Sequence, residues 1–171
     1  MSTKAATNHL FQTRIDLSAD TRELMVTMLN RQLATLTDLY TQTKHAHWNV
    51  KGSNFWGLHK LFDKLAEDVE GHIDETAERL TALGGRAMGT VRMAAANSRL
   101  EDFPEDVHVG LEVVKVVADR YAAAGKEARQ GIAQAMEHGD ADTADLLTAV
   151  SRFLDQSLYF LESHLQADER G

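Results

Sequence analysis

His59, Asp63, Glu67, Glu70, Asp74 and Glu78 follow one another at steps of 4, 4, 3, 4 and 4. On a helix turning ~100° per residue, side chains at these steps share one face. A row of acids most often marks a solvated edge. Such an edge ordinarily carries lysines to relieve repulsion, yet Lys60 and Lys64 lie off this row. His59 with Asp63, and Asp74 with Glu78, are i,i+4 pairs, each suited to placing two donor atoms on one metal ion. Asp74 lies fifteen residues beyond His59, or ~22 Å along a helix rising 1.5 Å per residue. One site within one chain therefore cannot use both pairs. If the helix packed antiparallel against its own copy across a twofold axis, each His/Asp pair would approach the other chain's Asp/Glu pair, giving two equivalent sites. His47, just before the turn into this helix, is placed to approach His59. Imidazole with carboxylate suits Fe(II), Mn(II) or Zn(II), whereas an oxygen-only set would suit Mg or Ca.

The elements that must position these residues follow from apolar spacing and end signals. A first helix is expected from about Asp20 to Asn49, with Asp20 and Glu23 resembling a capping box and Leu29, Leu33, Leu36 and Tyr40 on its apolar side. A second runs from about Asn54 to Leu83 and ends at Gly84-Gly85 in the manner of a glycine cap. The connection beyond it has room for a short helix over Val91 to Asn97. Pro104 suits the first turn of a third long helix reaching Glu137, and Asp142, with Asp145 three residues on, opens a fourth. Nothing reads as a strand series or a repeat. The expected fold is all-α: one domain over 1–171, a four-helix bundle with a short extra helix between helices two and three, and a tail over 1–18. The long connection leaves two options open, a crossover or a loop with its own helix.

Composition narrows the chemistry. The 171 residues contain no cysteine, which excludes disulfides, thiolate zinc sites, iron–sulfur clusters and cysteine nucleophiles. A single proline agrees with long unbroken helices. The net charge of −8 repels nucleic acid and attracts cations. No stretch approaches the length of a bilayer span, and Met1 to Arg14 holds no signal-peptide core, so no membrane partner and a cytoplasmic location are expected, with nucleoid association left open.

Thr43-Lys44-His45-Ala46-His47-Trp48-Asn49-Val50-Lys51-Gly52, then Asn54-Phe55, His59 and Asp63, resemble the signature of the Dps mini-ferritins. Asp74-Glu75-Thr76-Ala77-Glu78-Arg79 with Leu83-Gly84-Gly85, and Asp142-Thr143-Ala144-Asp145 with Ser151-Arg152 and Phe160-Leu161-Glu162, continue the pattern across almost the whole chain. The resemblance implies a ferritin-like bundle and a hollow homo-oligomer of twelve subunits. His47, His59 and Asp63 would come from one subunit, and Asp74 and Glu78 from its twofold partner. It further implies ferroxidase activity: Fe(II) is oxidised, preferably by hydrogen peroxide, and the ferric iron is stored as mineral, which suppresses hydroxyl radical formation. Asp142 and Asp145 would line threefold pores that admit iron; Trp48, by its residue type a core anchor, would by the same resemblance intercept stray oxidising equivalents.

DNA binding does not carry over. Members that bind DNA use lysine-rich tails and counterion release, but here the segment before the first helix offers only Lys4 and Arg14, and the chain ends Gln166-Ala167-Asp168-Glu169-Arg170-Gly171. Twelve such chains carry about −96, so DNA binding is expected to be weak or absent. Glu105 and His108 form a single ExxH spacing; ordinary ferritin-like di-iron sites need two per chain. Gly110, Gly125 and Gly131 within the third long helix call for close contacts to offset their helix cost. The competing readings are a mononuclear iron oxygenase built on His47, His59 and Asp63, and a structural nucleoid protein.

Overall fold

The computed structural model describes residues 10–166, in which α1 (Ala19–Asn49), α2 (Phe55–Ala82), α3 (Val91–Asn97), α4 (Gly110–Glu137) and α5 (Ala141–Leu165) follow in order. Residues 1–9 of the expected N-terminal tail and residues 167–171 lie outside the described residues. The all-α bundle with a short helix between its second and third long helices is as expected, and α3 has the expected limits.

Two helix starts differ from expectation. Ser18, not Asp20, caps α1: its Oγ accepts the Thr21 N–H at 3.1 Å. Asp140, two residues before Asp142, caps α5, its Oδ1 accepting the Thr143 N–H at 3.0 Å. A larger difference concerns α4, which begins at Gly110 rather than Pro104. Residues 108–110 are held instead by an isolated parallel bridge between Lys51 and Val109. Lys51 N–H donates to the His108 carbonyl at 2.8 Å, and Gly110 N–H to the Lys51 carbonyl at 3.0 Å. These bonds keep the chain extended where proline alone would have permitted a first helical turn. Glu105 and His108 therefore lie in a loop and make no helical ExxH pair.

The same bridge fixes the topology. Residues 83–109 leave the end of α2 and finish beside Lys51, next to its start, so the connection crosses the length of the bundle and carries α3 with it. α4 then runs parallel to α2, and α5 returns along α4. The crossover is held along α1: Ser98 Oγ donates to Asp38 Oδ2 at 2.5 Å, and buried Arg120 binds Gln42, Glu101 and the Asp102 carbonyl. The bundle centre is filled by Leu36, Leu39, Phe62, Val69, Tyr121 and Leu154. Tyr121 is wholly buried, its hydroxyl 3.4 Å from Thr43 Oγ1, and burial pushes its phenol pKa well up. A second cluster, including Met25, Leu29, Leu83 and Leu147, closes the opposite end.

Gly131 shows how tightly α4 packs, since a Cβ there would stand 2.7 Å from a methyl of Leu147. At the end of α2, Gly84 takes φ of +90°, and a Cβ there would meet the Phe11 carbonyl oxygen at 2.4 Å. Phe11 N–H donates to the Gly84 carbonyl at 2.8 Å, and the Arg22 guanidinium donates to the Leu83 carbonyl at 3.0 Å. Residues 10–17 thus cross the end of α2. Gly84→Ala is expected to cost about 1–3 kcal/mol, from the left-handed backbone and the carbonyl contact together. Urea unfolding checks this; an unchanged midpoint would show that the segment yields freely.

Candidate metal centre

His47 lies in the last turn of α1 and His59 near the start of α2, brought face to face by the short turn at Lys51 to Asn54. Gly52, with φ of +116°, lets that turn close. His47 Nδ1 is 2.7 Å from the His59 carbonyl, and His59 Nδ1 is 2.9 Å from the His47 carbonyl. A carbonyl only accepts, so each Nδ1 carries the hydrogen and donates it. In the neutral rings both Nε2 atoms then keep their lone pairs for a metal, with each ring oriented by its backbone partner. The two rings stack with centroids 3.8 Å apart at 19°. The His47 carbonyl belongs to the final turn of α1, where carbonyls lack helical partners, and His59 satisfies it.

Asp63, one turn beyond His59, joins this pair. Its Oδ1 lies 3.8 Å from His47 Nε2 and 2.7 Å from Lys44 Nζ. The hydrogen bond from Lys44, reinforced by its charge and opposed by partial desolvation, holds the Asp63 carboxyl below the usual carboxylate range. The carboxylate form, which a cation needs, is thus the resting form. Lys44 also competes for it. Lys44 belongs to the sequence motif, but its pairing with Asp63 joins two helices and is not visible along the chain. Its place follows once His47 faces His59 in an antiparallel pair, because a residue one turn back on α1 then faces one a turn forward on α2.

Asp74 and Glu78 do not join the three. Both are exposed on later turns of α2, an unbroken helix, so Asp74 is about 22 Å along the axis from His59. Among the described residues no three His, Asp or Glu side chains gather into a group able to hold a metal. Glu67 and Glu70 occupy the intervening turns and, with Tyr40, Lys44 and Asp63, line a polar pocket of about 230 Å³. The donor set fits iron chemically: two imidazoles hold the ion without adding charge, and an ionised carboxylate favours the ferric state.

At the far end of α2, Arg79 reaches the start of α5. Its Nη2 binds the buried Asp140 at 2.6 Å, its Nε donates to Thr143 Oγ1 at 2.9 Å, and its Nη1 is 3.8 Å from Asp142. Asp142 and Asp145 stand exposed on the first turns of α5. Both tryptophans flank the histidine pair: Trp48 is 63% exposed with Lys44 Nζ 5.9 Å from its ring, and Trp56 is 66% exposed and stacks on His59 at 6.1 Å. Trp48 is thus no core anchor within the single chain.

A ferritin-like domain model matches residues 26–171. The DNA protection during starvation protein of Agrobacterium fabrum is 37% identical over 155 residues, spanning 91% of this chain and 96% of that protein. Among solved structures, DpsC from Streptomyces coelicolor superposes with a TM-score of 0.89 at 30% identity, covering 96% of each chain. A Vibrio cholerae DPS protein, described as a member of a broad superfamily of ferritin-like diiron-carboxylate proteins, superposes with a TM-score of 0.85 at 25% identity, covering 93% of this chain and 99% of that one.

The Lys44–Asp63 pair gives a pH dependence of definite sign. Because the folded carboxyl titrates below its unfolded value, the pairing contributes above the unfolded range and is lost as pH falls through the folded one. Lys44→Met should let the Asp63 carboxyl rise toward its ordinary range, which carboxyl NMR would follow. With the competing ammonium gone, Co(II), a redox-stable stand-in for Fe(II), should bind about two- to fivefold more tightly. Unchanged or weaker Co(II) affinity in calorimetry would count against competition by Lys44.

Proposed function

The chain belongs to the ferritin-like domain proteins and, within them, to the Dps mini-ferritin family, and on that premise we propose that it takes up Fe(II) as substrate, oxidises it at centres shared by two copies, and stores the ferric product inside a hollow twelve-subunit assembly. The observation that carries this reading is the pair His47 and His59 set face to face with Asp63 one turn on, a donor set left incomplete within one chain. It offers two bare Nε2 atoms and one ionised carboxylate, while a second carboxylate pair, Asp74 and Glu78, stands too far along the same helix to serve it. A twofold antiparallel packing of α2 against its copy completes two centres at once.

Each Fe(II) gives up one electron, and hydrogen peroxide, the preferred oxidant in this reading, takes two electrons and two protons to become two waters. Asp63, with the partner's Asp74 and the partner's Glu78, supplies the negative charge that favours Fe(III). The imidazoles orient the ion, and their Nδ1–H bonds stop the rings from turning away. Asp142 and Asp145 attract incoming cations at the start of α5. Removal of Fe(II) and peroxide together protects DNA without contact. Among the described residues no helix is long and apolar enough to cross a membrane, and the reading assigns the activity to the cytoplasm.

Neutralising the remote pair separates this from a mononuclear oxygenase confined to one chain. Asp74→Asn with Glu78→Gln should slow peroxide-driven Fe(II) oxidation by at least about tenfold to a hundredfold, as losing ligands should cost no less than losing their supports. An undiminished rate would remove the shared centre. Solution mass should correspond to about twelve chains. The native assembly should leave duplex DNA unshifted in a gel near about 150 mM salt; a clear shift would restore DNA as a partner.

A further inference from the structure

Between α1 and the second half of α2 lies an open groove of about 600 Å³. Leu33, Ile73, Ala77 and Ala87 give it an apolar floor, and Glu70 and Asp74 an acidic rim. We propose that this groove seats the partner's Trp48, with the partner's Lys44 against the rim. The proposal rests on the shared-centre reading and adds what holds that centre together.

The His47–His59 and Lys44–Asp63 contacts set the register of α1 against α2. Trp48 is thereby level with His59, and Leu33 with Asp74. A twofold packing that brings the partner's His59 and the partner's Asp63 to Asp74 and Glu78 keeps the α1 flanks of both copies on one side of the interface. The partner's Trp48 then arrives level with Glu78, one residue past Ala77 at the end of the groove, and the partner's Lys44 level with Asp74. Charge and shape agree with this placement. Trp48 and Lys44 form one aromatic, cationic knob, with Nζ 5.9 Å from the ring, and the groove is apolar below and carboxylate-rimmed above. An indole left 63% exposed gains its burial there. Trp56 sits farther along α2, at its first turn, and in the same register passes beyond the groove toward Thr81.

The chain has two tryptophans and three tyrosines, so Trp56→Phe leaves Trp48 as the sole tryptophan, excited selectively at the red edge where tyrosine does not absorb. In the assembled protein its emission should be blue-shifted and its quenching by acrylamide several-fold weaker than after dissociation. Gly89→Phe then fills the groove from its edge. A Cβ at Gly89 meets only Leu33, at 3.8 Å, so the helical circular dichroism should persist. In that double variant Trp48 should become red-shifted and open to acrylamide. Solvent-like Trp48 in the assembled single variant, or shielding unchanged by Gly89→Phe, overturns the proposal. The shared centre is judged separately by Asp74→Asn with Glu78→Gln. Shielded Trp48 with undiminished oxidation there sinks the centre and keeps the docking; exposed Trp48 with oxidation lost sinks the docking alone.

Discussion

Two hydrogen bonds, exchanged between the imidazoles and backbone carbonyls of His47 and His59, govern the end of the bundle that carries the first half of the proposed centre. They satisfy a carbonyl in the last turn of α1, which would otherwise have no helical partner. They select the tautomer in which both Nε2 atoms are free. They also fix how far α1 is slid along α2, and so decide that Lys44 meets Asp63 and that Trp48 stands beside His59. Local chemistry and interhelix register are here the same two bonds.

The two halves of the proposed centre are secured by different devices. His47, His59 and Asp63 are held from α1. Asp74 and Glu78 stand on the part of α2 that Arg79 ties to the start of α5, through Asp140 and Thr143. One guanidinium, mostly buried, thus sets the last turns of α2 against α5, which carries the further candidate acids Asp142 and Asp145. The acidic row between these anchors has Lys44 as its direct cationic partner, at Asp63. Glu67, Glu70, Asp74 and Glu78 remain exposed, a surface suited to cations and to a partner bringing positive charge.

Much of this was legible in the chain itself. Periodic apolar residues and a glycine end located α2 closely, because those signals are local, and α3 fell where the long connection had room for it. The acidic row and the helix pitch were enough to separate Asp74 and Glu78 from His59. The misjudged start of α4 has a nonlocal cause: Pro104 favours a helical first turn, but Lys51, from the other side of the bundle, binds residues 108 and 110 and keeps the chain extended. Ser18 displaced Asp20 as the cap of α1 by a shift of two residues, within the reach of competing hydroxyl and carboxylate caps. Lys44 went unnoticed as a ligand competitor because its partner lies on another helix, and only the register between helices connects the two. Whether the groove beside Asp74 is filled was beyond any pattern along one chain, since its lining comes from α1, α2 and the connection together.

The crossover that ends at the Lys51–Val109 bridge also sets an order of construction. α1 with α2, and α4 with α5, are hairpins closed by a few residues, whereas residues 83–109 must span the bundle before their bridge forms, at a greater cost in chain entropy. The paired histidines, Lys44 and Asp63 all fall within the first hairpin. A ribosome therefore delivers every residue needed to orient those side chains before it has made any of α4. Synthesis from the N-terminus writes the chemistry first and the frame that shelters it afterwards.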